Sequence, residues 1–237
     1  MKKFLFLAGM TSCLSLSVFA ELTARSYITK GLVGQWDGIE NVAYGQAHSS
    51  TATSWADIAG GGLPIALPTG AAFAENGVTT VRKNGKKTTE AVWKASKEYA
   101  AFKAANYTVE IAYDQTAEVV GGTGYANRGV MLSFGTDGYW MGVLQNNKAG
   151  FNGSFGAEST LSVSVSATTT LGQHTLSCSH DGRTAKVFFD DASKSDAKTG
   201  VASPVTAHGF AFNMPGYWAT SNGIDGVYHS IRFYDHA

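Results

Sequence analysis

Cysteine is nearly missing from this 237-residue chain, and one of its two copies, Cys13, falls in a leader-like stretch, so Cys178 stands alone. A single thiol closes no internal bridge, and stability has to come from a packed core. Proline is equally sparse at four residues, and charged residues make up only 15% of the chain, a composition unlike that of a disordered segment. The formal net charge is zero. Without a clustered positive field, nucleic acid and anionic lipid have no electrostatic handle, and the one basic run, "RKNGKK" at 82–87, reads as a solvated turn. Also missing are the roughly 20 consecutive apolar residues of a membrane-spanning helix.

The apolar run that comes nearest opens the chain, "MKKFLFLAGMTSCLSLSVFA" at 1–20. Two lysines, an apolar centre interrupted by Thr11, Ser12, Ser15 and Ser17, and small residues before Glu21 describe an export signal cleaved after Ala20. Setting Lys2 and Lys3 aside leaves 16 of the 18 basic residues against 18 acidic ones. The expected organisation is a signal peptide (1–20), a short polar lead-in (21–30) and one domain (31–237), exported and without a membrane span once the signal is gone. A domain of this size buries roughly 70% of its unfolded surface. Thirteen Phe, ten Tyr and five Trp supply the large side chains for it, with Trp36, Trp55 and Trp93 assigned to the core.

Sustained helical periodicity is absent, whereas short runs rich in Val, Ile, Thr, Phe and Tyr recur between Gly, Asn and Asp clusters. Strands are predicted at 31–38, 77–83, 90–96, 107–115, 128–135, 139–145, 161–168, 174–181, 184–191, 208–214 and 226–235. Asn84-Gly85, Thr136-Asp137-Gly138 and Asp181-Gly182-Arg183 are turn sequences, the first suited to a two-residue hairpin. Antiparallel neighbours follow, and with them a meander or Greek-key sandwich. One segment differs: in "SKEYAAFKAAN" (96–106) Tyr99, Phe102 and Ala105 recur at helical spacing, so a short helix or helical loop is expected near 96–105. Alternation places Leu161, Val163 and Val165 on one face. In the closing strand it puts Val227, His229, Ile231 and Phe233 opposite Tyr228, Ser230, Arg232 and Tyr234. An outer-membrane barrel would need longer alternating segments and aromatic girdles, which the lysine-rich 82–103 stretch breaks.

Six segments together resemble a family. "YITKGLVGQWDGIEN" (27–41), "TSWADIAG" (53–60), "AFAENGV" (72–78), "YTVEIAYD" (107–114), "GQHTLSCSHDGRTAKVFFDD" (172–191) and "GIDGVYHSIRFYDHA" (223–237) follow, in order, the pattern of LamG-like, concanavalin A-like lectin and glucanase domains. The resemblance implies an all-β, two-sheet antiparallel jelly-roll sandwich whose last strand returns beside the first. It also implies an acidic residue at that edge, where Asp225 falls. One departure is that Asp190-Asp191 stands where the family has Asp-Gly.

Glycosidases share that fold, and hydrolysis needs two carboxyl groups about 5–5.5 Å apart for retention or about 6.5–9.5 Å for inversion. Glu110 and Asp114 share a strand face but lie roughly 13 Å apart at four residues' separation. No Gly-x-Ser-x-Gly elbow and no zinc-ligand spacing is present, and the six histidines are scattered, with His174 read as a strand-edge residue and His180-Asp181 as a turn. Relatives of this fold often hold a calcium ion at a rim. Calcium is therefore the one cofactor implied, with Asp37, Asp57 and Asp225 as candidate ligands and turn capping as the alternative for Asp37 and Asp57. Sugars stack on exposed aromatic rings while amides and carboxylates take their hydroxyls. Tyr139-Trp140 at a hairpin and Tyr217-Trp218 with Asn222 in a loop are the candidate ligand contacts, one ring of each adjacent pair pointing away from the core. The chain therefore reads as a non-catalytic recognition module for a glycan or another cell-surface ligand. A protein-binding adhesion module and a glycoside hydrolase are the alternatives.

Overall fold

The computed structural model describes residues 28–60, 62–82, 84–119, 128–134, 139–144, 148–155, 159–166, 171–199, 209–213 and 223–237. Residues 1–20 and the segment holding Tyr217, Trp218 and Asn222 lie outside the described residues. The chain enters through β1 (Leu32–Asp37), the short pair β2 (Ser54–Trp55) and β3 (Ile65–Ala66), then β4 (Ala72–Ala74), β5 (Gly77–Thr80) and β6 (Lys86–Lys87). Two helices, α1 (Glu90–Lys94) and α2 (Lys97–Lys103), lead into the long strand β7 (Asn106–Gln115). A meander follows: β8 (Arg128–Phe134), β9 (Tyr139–Leu144), β10 (Lys148–Phe155) and β11 (Ser159–Ser166). The chain closes with β12 (Gly172–Asp181), β13 (Thr184–Phe189), β14 (Asp191–Thr199), β15 (Phe210–Phe212) and β16 (Gly226–Tyr234).

These strands form two main antiparallel sheets. The larger runs β14-β13-β12-β7-β16-β5-β4, with β1 also on β16; the smaller runs β11-β10-β9-β8-β15-β6. Strand β7 borders β16 along its length, while Gly226–Tyr228 pair with β5 and Ser230–Tyr234 pair with β1. The last strand therefore does return beside the first.

The core is the slab between the sheets. Along β7, Tyr107, Val109, Ile111 and Tyr113 are buried, whereas Thr108, Glu110, Ala112 and Asp114 are half-exposed, so strict alternation makes one face dry. Leu132, Phe134, Met141, Phe210 and Phe212 come from the smaller sheet into the same cluster. Ring contacts stitch the layers, Trp36 to Phe210 at 6.0 Å and Phe134 to Phe233 at 5.8 Å. All three assigned tryptophans are fully buried, and the indole N–H groups of Trp36 and Trp55 donate to the carbonyls of Leu63 and Asp37.

Three expectations need correction. Residues 90–94 are helix α1 rather than a strand: the Thr89 hydroxyl accepts from Val92 N–H, with Glu90 in the first turn and Lys94 in the last. Those are cap and dipole signals that outweigh the apparent alternation of Ala91, Trp93 and Ala95. The helix expected near 96–105 is α2, capped by Ser96. Asn84-Gly85 is not a hairpin, because β5 belongs to the larger sheet and β6 pairs with β15 in the smaller one, so the turn carries the chain between layers. In the closing strand the register shifts between Tyr228 and Ser230, and the extra residue puts Tyr228 on the core face with Ile231 and Phe233. The short strands β2, β3, β4 and β6 and the longer β10 and β14 went unpredicted; β10 contains two glycines, and β14, "DASKSDAKT", is a polar edge.

Candidate functional site

The face of the larger sheet that points away from the core is polar. It presents Gln35 and Asp37 from β1, Ser230 and Arg232 from β16, and Glu110, Ala112 and Asp114 from β7. Strands β12 and β13 continue it with Gln173, Thr175, Ser177 and Phe188. A cleft of about 380 Å³ opens here, floored by Ala112, Thr175 and Ser230, with Asp37, Asn76 and His229 among its walls. A second cleft of about 250 Å³, holding Glu110, Ser177, Phe188 and Asp191, adjoins it and shares Thr175 and Asp190. The two make one groove.

Ion pairs set its shape. Arg232, only 3% exposed, is paired with Glu110, and a buried guanidinium needs such a partner. His229 Nδ1 lies 3.0 Å from the Asn76 carbonyl and its Nε2 3.2 Å from Asp114, so the residue inserted by the bulge ties β16 to the β4–β5 turn. His174 Nδ1 meets Asp190 at 3.1 Å, and the same carboxylate accepts from Thr175 N–H at 3.0 Å. Asp190 has φ +58°, a conformation that aspartate tolerates better than most residues, and it interrupts the strand predicted over 184–191. Behind this pair stands Tyr113, whose phenol is pushed far above its ordinary value, by burial first and by the Asp190 charge second. Its hydroxyl has no hydrogen-bond partner among the described residues.

Chemically the groove offers carboxylates, hydroxyls, amides and imidazoles, with two apolar surfaces: Ile39, 47% exposed at one end, and the half-buried ring of Phe188 at the other. Such a lining suits a ligand bearing many hydroxyls on an apolar ring. Glu110 and Asp114 share this face but are committed to Arg232 and His229.

Of the residues singled out in the sequence, Asp37 reaches the first cleft. Its Oδ1 accepts from the Ile39 and Glu40 N–H groups. Asp57 accepts from Gln35, Ala59 and Gly62 N–H, and Asp225 from Arg82 N–H. Each carboxylate thus serves as a backbone cap, and the three are not brought together. Among the described residues no cluster of three or more His, Cys, Asp or Glu is placed to hold a metal ion. Tyr139 and Trp140 begin β9, in the sheet opposite the groove. What the sequence reading missed is Phe188. The signal was available, because Phe188-Phe189 is also an adjacent aromatic pair on a strand, and Phe189 is the fully buried member.

No family model and no curated protein matches the sequence. Solved structures do match in shape. Trypanosoma rangeli sialidase in complex with sialic acid superposes with a TM-score of 0.58 at 15% identity, over 87% of this chain and 31% of that one. A complex of the same sialidase with 2,3-difluorosialic acid gives 0.56, also at 15%. A Ruminococcus gnavus IT-sialidase CBM40 gives 0.49 at 12% identity, over 68% of this chain and 91% of that one. The chain spans about a third of the length of the sialidase chains it matches. At these identities the likeness establishes the fold: an all-β, antiparallel jelly-roll sandwich of the concanavalin type.

Proposed function

We propose that this chain is an exported, non-catalytic glycan-binding module of the LamG-like type, and that it binds its glycan in the groove across the outer face of the larger sheet. The observation that carries the reading is the groove itself: two joined clefts lined by carboxylates, amides and hydroxyls together with the half-buried ring of Phe188. The jelly-roll likeness to a sialidase solved with sialic acid supports a carbohydrate-handling scaffold. The leader-like residues 1–20 support export.

Affinity electrophoresis through gels containing soluble polysaccharides tests the proposal. At least one polysaccharide is expected to retard the protein, and Phe188→Ala to weaken that retardation about tenfold by removing a stacking surface, with the circular dichroism spectrum unchanged. The rival placement, at Tyr139 and Trp140 or at Tyr217, Trp218 and Asn222, predicts instead that Trp140→Ala or Trp218→Ala abolishes retardation while Phe188→Ala does not. Retardation by no polysaccharide would sink the glycan reading.

A further inference from the structure

We propose that the groove accommodates an extended stretch of a linear, uncharged glycan lying across the strands, and that it discriminates against acidic sugars. The inference rests on the glycan reading above and adds to it a length and a charge class.

Length comes from topology. The joined clefts draw on β1, β16, β7, β12, β13 and the start of β14, which are consecutive neighbours in the sheet, and both clefts contain Thr175 and Asp190. Six adjacent strands at ~4.8 Å spacing extend over roughly 24 Å, room for several pyranose rings in line. A single terminal sugar would occupy one cleft and leave the Phe188 end empty.

Charge comes from the lining. Asp37, Glu110, Asp190 and Asp191 all contribute, whereas no lysine or arginine lines either cleft among the described residues. The nearest guanidinium, that of Arg232, is buried and paired with Glu110. His174 and His229 already face Asp190 and Asp114. A sugar carboxylate would enter a negative field with no guanidinium fork to receive it, and recognition of carboxylates depends on such donors. Sugar hydroxyls, by contrast, can donate to these same carboxylates.

The test is isothermal titration of the full chain with neutral linear hexose oligosaccharides of increasing length, with 3′-sialyllactose and with polygalacturonate, at low and high salt. Affinity for the neutral series is expected to rise with each added unit until the groove is filled. The acidic probes are expected to bind at least about tenfold more weakly, the gap narrowing as salt screens the lining. Asp191→Lys is expected to raise the affinity for polygalacturonate. Equal or tighter binding of an acidic probe, a monosaccharide binding as well as a long oligomer, or no response to Asp191→Lys would overturn the inference while leaving the glycan reading standing. Failure of every probe to bind would remove that reading and the inference with it.

Discussion

Asn213 shows how much a single side chain does in this fold. Fully buried and held at φ +55°, it donates through Nδ2 to the carbonyls of Val81 and Asn84, and accepts at Oδ1 from Ile224 N–H and the Tyr228 hydroxyl. It thereby fastens the crossover after β5 to the entry of β16. Asn213→Ala strands these polar groups in the core, and at about 1–3 kcal/mol for each group left unsatisfied the variant is expected to lose at least ~3 kcal/mol in urea denaturation. Glu98 is a different case. It is fully buried beside Gly34 and Gly62, where any Cβ would collide with its carboxyl, and burial raises its proton affinity above the ordinary carboxylate range. As pH rises past about 4.3 the unfolded chain releases this proton first, so the contribution of Glu98 to stability is whole at low pH and is lost as pH climbs through its raised value. Glu98→Gln escapes that loss. It is expected to match the natural protein in thermal unfolding near pH 4 and to exceed it near pH 8.

Elements were legible where one periodicity ruled. Strand β7 shows ten residues of unbroken alternation, and the Asp181-Gly182-Arg183 turn joins β12 to β13 as its residues dictate, with Asp181 Oδ1 capping the N–H groups of Arg183 and Thr184. What alternation alone could not reveal is a break in phase. The bulge at His229 turns Tyr228 inward and frees His229 to meet Asp114 and Asn76, so the feature that defeated the reading of the closing strand also builds a wall of the groove. Asp190 acts similarly at the end of β13, where a positive φ swings its carboxylate onto His174. Deleting His229 restores uniform alternation and leaves Tyr228 opposite Tyr113 on the core face, but it removes the contacts to Asp114 and Asn76. The expected result is a loss of only ~1–2 kcal/mol in denaturant unfolding, from the polar contacts removed, with Tyr228 still buried; a loss as large as truncating a buried ring would contradict this register.

At the scale of the whole molecule, the two-layer sandwich leaves a broad polar surface on the outer side of the larger sheet, and fold class was readable because burying paired sheets imposes strong patterns on every strand. The candidate site was less so. Its residues come from six strands dispersed between Asp37 and Ser230, and only register brings Thr175 beside Ala112 and Ala112 beside Ser230. Asp37, for which both cation ligation and turn capping were readable, caps a turn at the groove wall. The aromatic pairs drew notice for their bulk, while Phe188 was concealed by its buried neighbour Phe189. The most direct measurement is an NMR titration of isotopically labelled protein with an oligosaccharide of the polysaccharide that retards it best. Amide shifts are expected at Thr175, Ser177, Phe188 and Ser230; shifts confined to Tyr139, Trp140 or residues 217–222, with those four unmoved, would contradict the account.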